Sequence, residues 1–200
     1  MKNFRWKENQ VVGIEIEDNI FIIAQLLISP YIVFFNSFHK AFPKTTTQLE
    51  NLSVLMVKGV TSQYLNTSNI EKLDILPIQN FKPPREWIAM NPEAFKTTLW
   101  ENTENELELI LIGENGGKIV SRDITRKGFQ VDCLVAKDAL SEGVEKFQSI
   151  ETKGLAVNPT FTERLKLCRL FNKNVDPEKE LCFGFEPKIE YYRYFSYLKK

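Results

Sequence analysis

The N-terminal region contains three short apolar runs separated by tight turns, and this pattern strongly constrains how the chain can fold. Residues 12–17 alternate apolar and charged side chains, which is the period of a half-buried strand. Residues 20–28 and 31–35 are rich in Ile, Leu, Val and Phe, which favour strands. Asp18-Asn19 and Ser29-Pro30 supply the turns. The pattern predicts a curved antiparallel meander, and strong curvature could close it into a small barrel-like sheet.

Further strand signals follow along the chain. Residues 53–60 are a fourth candidate strand, and residues 63–70 are polar enough to predict a loop. Prolines break residues 77–95, the segment that holds Trp87, so we expect this segment to wrap around the core. Residues 106–112 alternate Glu, Leu and Ile, as in a strand.

The glycine-rich segment 113–117 predicts a hairpin turn with Asn115-Gly116 at its tip. Residues 118–125 and 129–136 would continue this hairpin. Apolar spacing predicts helices over 137–148 and 162–171, and the aromatic tail 189–198 could form a strand or a helix.

The predicted fold class is therefore mainly β (α+β), with a few helices in the C-terminal half. One division of the chain has a β-meander domain at 1–100 and a second β-hairpin with helices at 101–200, packed on the first. A single domain over residues 1–200 is the other division compatible with this length.

Charge and cysteine usage narrow the class of protein. The chain has 26 Lys and Arg against 26 Asp and Glu, so it lacks the basic excess that dedicated nucleic-acid binders usually show, and we expect no direct nucleic-acid partner. Its three cysteines are widely spaced and predict free thiols rather than a zinc site. The most apolar stretch, residues 20–35, is short and contains Pro30. With no secretory signal pattern, the sequence predicts a cytoplasmic protein without a membrane partner.

Motifs for catalysis are not recognisable in the sequence. His39 is the single histidine, and it has no partner histidine for a metal site. The stretch from Gly113 to Lys118 lacks the spacing of a phosphate-binding loop. We therefore predict no catalytic, cofactor-binding or metal residues and no cofactor. The alternative is an enzyme, for example nuclease-like, whose site is assembled only in space.

Two surface features are candidates for partner binding. The first is an acidic segment at 101–114 without a basic residue, which could face a basic partner or could be a solvated strand face. Its members are Glu101, Glu104, Glu106, Glu108 and Glu114. The second is the aromatic tail, since Tyr and Arg are frequent at interface hot spots, although packing of the chain end into the core would also explain it. Its candidate residues are Tyr191, Tyr192, Arg193, Tyr194 and Tyr197.

The meander carries a family resemblance. Residues 9–16, 20–27 and 31–36 resemble the opening of the immunity protein 26 family, from bacterial polymorphic toxin and contact-dependent growth inhibition systems. The proline-containing stretch with Trp87 is similar to a later tryptophan segment of that family, and the resemblance covers about residues 5–100. It implies an immunity protein that binds and neutralises a cognate toxin, without catalysis. Such toxins are often nucleases with basic clefts, so the expected partner is a basic toxin. A generic protein-interaction module is a further alternative, and the oligomeric state stays open.

Overall fold

A computed structural model describes residues 4–41, 47–122 and 132–199, and in it the chain forms two compact units. Unit 1 comprises Met1–Pro84 and Leu155–Asn174, and unit 2 comprises Arg85–Gly154 and Val175–Lys200. The strands are β1 (Val11–Glu17), β2 (Ile20–Leu26), β3 (Tyr31–His39), β4 (Val54–Gly59), β5 (Ile70–Lys72), β6 (Glu86–Met90), β7 (Ala94–Leu99), β8 (Leu107–Ile112), β9 (Gly117–Arg122) and β10 (Asp132–Ala136). The α-helices are α1 (Ser62–Thr67), α2 (Val144–Ser149), α3 (Thr160–Phe171), α4 (Pro177–Cys182) and α5 (Tyr192–Ser196). Short 3-10 helices lie at Leu49–Asn51, Ala139–Glu142 and Ile189–Tyr191.

The antiparallel meander is the centre of unit 1, as predicted. Its five strands are ordered β4-β3-β2-β1-β5, and their pairing is antiparallel. The side chains of Val12, Ile14 and Ile22 are completely buried, which explains the near-continuous apolar runs of the central strands. In the described residues β4 and β5 are two separate edges, so the sheet is the open meander rather than the closed alternative.

Residues 63–70 do not form the predicted loop, because most of them belong to α1. The Thr61 side chain caps this helix by accepting a hydrogen bond from the backbone N–H of Tyr64 at 3.2 Å. Tyr64 and Leu65 are buried, so tertiary packing stabilises a helix that is too short to form alone. The chain then enters β5, which pairs with β1.

The segment 155–174 returns to unit 1 from far along the chain. Ala156 bridges to Val60 and accepts hydrogen bonds from the backbone and side chain of Thr61. Helix α3 follows where apolar spacing predicts it, and its Phe161 ring packs edge-on against Phe34 and Tyr64 at 5.3 and 5.2 Å. The two units are therefore not consecutive halves of the chain.

Residues 86–122 of unit 2 form one long, bent antiparallel hairpin. β6 pairs with β9 and β7 pairs with β8. The turn at Trp100–Glu106 joins β7 to β8 and forms the closed end of the hairpin. The predicted hairpin tip at Asn115-Gly116 is wrong, because this segment lies at the bend between β8 and β9. A Cβ on Gly117 would lie 2.5 Å from the carbonyl oxygen of Ala89, so the glycine allows the two backbones to approach closely.

The remaining elements of unit 2 complete a second core. β10 pairs antiparallel with β9, as the sequence predicts, whereas the predicted strand residues 123–125 and 129–131 lie outside the described residues. The predicted helix over 137–148 is divided at Gly143, whose φ of 94° separates a 3-10 helix from α2. The tail is helical rather than extended. The prediction of a mainly β protein with helices in the C-terminal half is confirmed.

Candidate protein-binding surface

The tip of the bent hairpin presents the first three predicted glutamates. Glu101, Glu104 and Glu106 are exposed in the turn that joins β7 to β8. The Glu106 carboxylate accepts a hydrogen bond from the backbone N–H of Asn102 at 2.7 Å, and the Thr103 hydroxyl donates to the Trp100 carbonyl at 2.6 Å. These bonds hold the tip in a defined conformation, so the carboxylates project from an ordered turn. We call Trp100–Glu106 the acidic tip.

The other two predicted glutamates lie apart from the acidic tip. Glu108 is exposed on β8 opposite Thr98, and Glu114 is exposed at the bend. Since a strand rises about 3.4 Å per residue, the length of β8 places Glu114 roughly 20 Å from the tip. The acidic segment of the sequence is therefore not one continuous patch: Glu101, Glu104 and Glu106 lie on the tip, whereas Glu108 lies on β8 and Glu114 at the bend.

The outer face of β7 and β8 adds apolar surface beside the acidic tip. Ile110 and Ile112 are 45% and 58% exposed, although they belong to a regular strand. Lys96 and Ala94 pair with them on β7. A cavity of about 540 Å³ opens on this face, and Lys199 also lines it. Apolar residues beside charged ones are the usual arrangement of a protein interface.

The aromatic tail is divided between the core and the surface. Tyr191 and Tyr194 are buried, and their hydroxyls donate to the carboxylates of Glu180 at 2.8 Å and Glu178 at 3.4 Å. A rigid partner could not reach these two rings. Their burial favours the alternative that the chain end packs into the core. Arg193 and Tyr197 are exposed and Tyr192 is half-buried.

Trp100 connects the tail to the acidic tip. Its ring lies 5.8 Å from Tyr192 and 6.2 Å from Phe195 of α5. Such aromatic contacts stabilise the arrangement by about 0.5–1.5 kcal/mol beyond the area they bury. The two predicted binding regions, distant in sequence, are thus neighbours in unit 2. Sequence patterns could not have shown this, because no local signal links Trp100 to residues 192–195.

His39, the single histidine of the chain, contacts a serine side chain. The Ser37 hydroxyl and the His39 ring nitrogen Nε2 lie 2.6 Å apart, a pair that the sequence analysis did not anticipate. Partial burial lowers the pKa of His39, so the ring is neutral at pH 7. Among the described residues no carboxylate bonds to this ring, so the pair has no described acidic partner. No described group of His, Cys, Asp and Glu could hold a metal ion.

The cysteines are free thiols. Cys168 and Cys182 are buried, whereas Cys133 is exposed on β10. Burial, with a smaller contribution from the negative charges of Glu178 and Asp176, raises the pKa of Cys182 to about 12. Its thiol is therefore protonated at neutral pH and is a poor nucleophile.

An ion-pair network joins β9, β10 and the segment that follows α2. Asp132 accepts bonds from Arg122 at 2.8 Å and from Lys153 at 2.7 Å. The hydrogen bond from Arg122, and then that from Lys153, lower the pKa of Asp132 to about 2 against the opposing effect of burial. The network thus depends on a carboxylate that stays ionised in moderately acidic solution.

The pKa of Asp132 predicts an acid-dependent stability. Because the folded-state pKa of Asp132 is about 2 and the ordinary pKa of an aspartate is 3.8, this carboxylate stabilises unit 2 above about pH 4 and loses that contribution as the pH falls toward 2. Urea unfolding at pH 7 and pH 3 should show a smaller difference for Asp132→Asn than for the unmodified protein. Asp74→Asn, at an exposed site in unit 1, is the control and should leave the difference unchanged. Equal pH dependence in all three proteins would contradict the role assigned to Asp132.

The model of a domain of unknown function, DUF8309, matches residues 1–185, which include the acidic tip and the segment before the aromatic tail. No curated protein and no solved structure matches the chain. In the part of the chain that the structure describes, no helix has the length and apolar character needed to span a membrane.

Proposed function

We propose that this chain, which belongs to the DUF8309 family, is a non-catalytic binding protein that uses the acidic tip to hold a basic protein partner. The observation that supports this most directly is the exposure of Glu101, Glu104 and Glu106 on one ordered turn. A compact cluster of carboxylates attracts a cationic surface and orients it during encounter. Ile110 and Ile112, on the outer face of the strand β8 that follows the tip, supply apolar area that charge attraction alone does not provide.

The specific form of the proposal is an immunity protein. The role in toxin neutralisation is taken from the resemblance of residues 9–36 to the immunity protein 26 family. The negative charge of the acidic tip would suit a basic toxin. Toxins that degrade nucleic acids need cationic clefts to hold phosphates. A carboxylate-bearing turn can occupy such a cleft and exclude the substrate. The protein would act in the cytoplasm of the cell that produces the toxin, before the toxin damages its producer.

Charge reversal at the tip tests the proposal. The variant Glu101→Lys/Glu104→Lys/Glu106→Lys should bind the product of the adjacent upstream gene with an association rate reduced at least about tenfold at low ionic strength. The physical reason is that three attractive charges become repulsive ones at the point of encounter. Surface plasmon resonance at two salt concentrations measures both the rate and its salt dependence, and the salt dependence should also become weaker.

Two further variants make the result specific. Glu8→Lys/Glu50→Lys/Glu71→Lys changes the net charge by the same amount at exposed sites of unit 1 and should leave the rates nearly unchanged. Glu101→Lys/Glu104→Lys spares the hydrogen bond from Asn102 to Glu106 and should still slow association. If the tip and control variants slow association equally, net charge alone is responsible and the acidic tip is not the binding surface.

A further inference from the structure

Unit 1 contains a cavity whose lining is cationic and rich in hydrogen-bond donors. It has a volume of about 380 Å³, within the range of roughly 300–1,000 Å³ that is usual for small-molecule sites. The cavity lies between two segments that are far apart in sequence. One is the segment that precedes β1, and the other runs from the end of α1 to β5. The lining residues are Phe4, Arg5, Gln10, Leu65, Asn66, Ser68, Asn69, Ile70 and Lys72. None of them is acidic.

Ser68 and Asn69 of this lining already donate, to the Tyr64 carbonyl and to Glu15, whereas four other donor side chains have no described acceptor. Arg5 and Lys72 are exposed, and neither forms an ion pair with another described residue. The Asn66 side-chain oxygen accepts from the backbone N–H of Phe4 at 3.3 Å, which leaves its NH₂ group available. The side chain of Gln10 bonds to no described residue. Four side chains that can donate hydrogen bonds therefore converge on one cavity.

One described carboxylate, that of Glu15, bonds to the cavity lining through Asn69. Glu15 accepts from the side chain of Asn69 at 2.6 Å through one carboxylate oxygen and from the backbone N–H of Asn19 at 3.0 Å through the other. Both oxygens of Glu15 are thus occupied by amide donors. An adjoining cavity of about 610 Å³ shares Arg5 and Gln10 and adds Trp6 and Lys7, which increases the positive charge along this side of unit 1.

From this arrangement we propose that the cavity binds a small organic oxyanion with an apolar or aromatic body. Arg5 and Lys72 would hold the phosphate or carboxylate head group, since bonds between cationic donors and such oxygens are stronger than neutral ones. The amides of Gln10 and Asn66 would complete its hydrogen bonds. Phe4, Leu65 and Ile70 provide the apolar wall against which the body packs. This site lies in unit 1 and does not depend on the acidic tip of unit 2.

Calorimetric titration with three defined probes tests the site. Adenosine 5′-monophosphate carries a phosphate, benzoate carries a carboxylate, and adenosine is the uncharged counterpart of the first. We expect at least one of the two anions to bind with a dissociation constant of about 1 mM or lower, and adenosine to bind at least about tenfold more weakly. The anion that binds identifies the head group. No binding of either anion up to about 10 mM, or equal binding of adenosine, would overturn the proposal.

Matched variants locate the binding. Arg5→Gln/Lys72→Gln should weaken anion binding at least about tenfold, because both cations that hold the head group are lost. Lys40→Gln/Lys82→Gln removes the same charge from exposed positions of unit 1 outside the cavity and should bind as the unmodified protein does. All four positions are exposed, so thermal unfolding should confirm intact folding. An equal loss in both double variants would assign the effect to net charge and reject this site.

Discussion

Replacing Lys179 with methionine should lower the free energy of unfolding of unit 2 by about 3–4 kcal/mol. The lysine is 3% exposed, and its ammonium donates to the carbonyls of Phe147 at 3.1 Å and Ile150 at 2.9 Å, with Gln148 at 3.4 Å. It therefore satisfies the carbonyl groups left open at the end of α2. It also lies 4.7 Å above the Phe147 ring. Methionine keeps the length of the side chain but cannot donate, so buried acceptors would remain unsatisfied.

Urea unfolding monitored by tryptophan fluorescence measures this effect, since Trp87 and Trp100 belong to unit 2. Lys118→Met is the matched control, because this lysine is exposed on β9, and it should change the free energy by less than about 0.5 kcal/mol. A loss of stability for Lys179→Met as small as that of the control would show that the ammonium group is not what closes the end of α2.

Replacing Phe161 with alanine should destabilise unit 1 by about 3–5 kcal/mol. This side chain is 3% exposed, and its ring lies between the rings of Phe34 from the meander and Tyr64 from α1. Its removal leaves a cavity where α3 meets the sheet. The aromatic contacts are lost together with the buried area, so the effect should exceed that of an ordinary surface change.

The measurement is again urea unfolding monitored by tryptophan fluorescence. Trp87 and Trp100 are first replaced by phenylalanine, so that Trp6 of unit 1 is the remaining tryptophan and reports on this unit. Leu170→Ala is the control on the same helix, since Leu170 is 64% exposed and should lose less than about 0.5 kcal/mol. If both alanine variants unfold at the same urea concentration, α3 does not contribute its apolar face to the core of unit 1.

Local patterns predicted the elements that depend mainly on neighbours in sequence. The meander over 12–35 is such a case, because alternating and continuous apolar runs bounded by tight turns leave few other structures that bury them. The helix predicted over 162–171 is another, since its apolar spacing has the helical period, and the structure extends it to Thr160–Phe171. Exposure of the glutamates at 101–108 also follows from the cost of burying unpaired carboxylates.

The places where sequence reasoning was wrong, or could not decide, involve contacts between distant segments. Asn115-Gly116 permits a sharp change of direction, but it lies at a bend. There the Gly113 N–H donates to the Glu93 carbonyl and the Asn91 N–H donates to the Gly116 carbonyl, which joins the β8–β9 connection to the β6–β7 connection. For the aromatic tail, the sequence is compatible both with a partner-binding surface and with packing into the core. Burial of Tyr191 and Tyr194 depends on α4 carboxylates that accept from their hydroxyls.

The sequence by itself determined the strand content, the order of the meander and the acidic character of residues 101–108. Only the tertiary structure decided which strands pair across the bend, the return of residues 155–174 to unit 1, and the cavity between Arg5 and Lys72. The physical reason is that turn and strand preferences act over a few residues. The choice among alternative pairings depends on how much apolar surface distant segments bury together, which no local pattern contains.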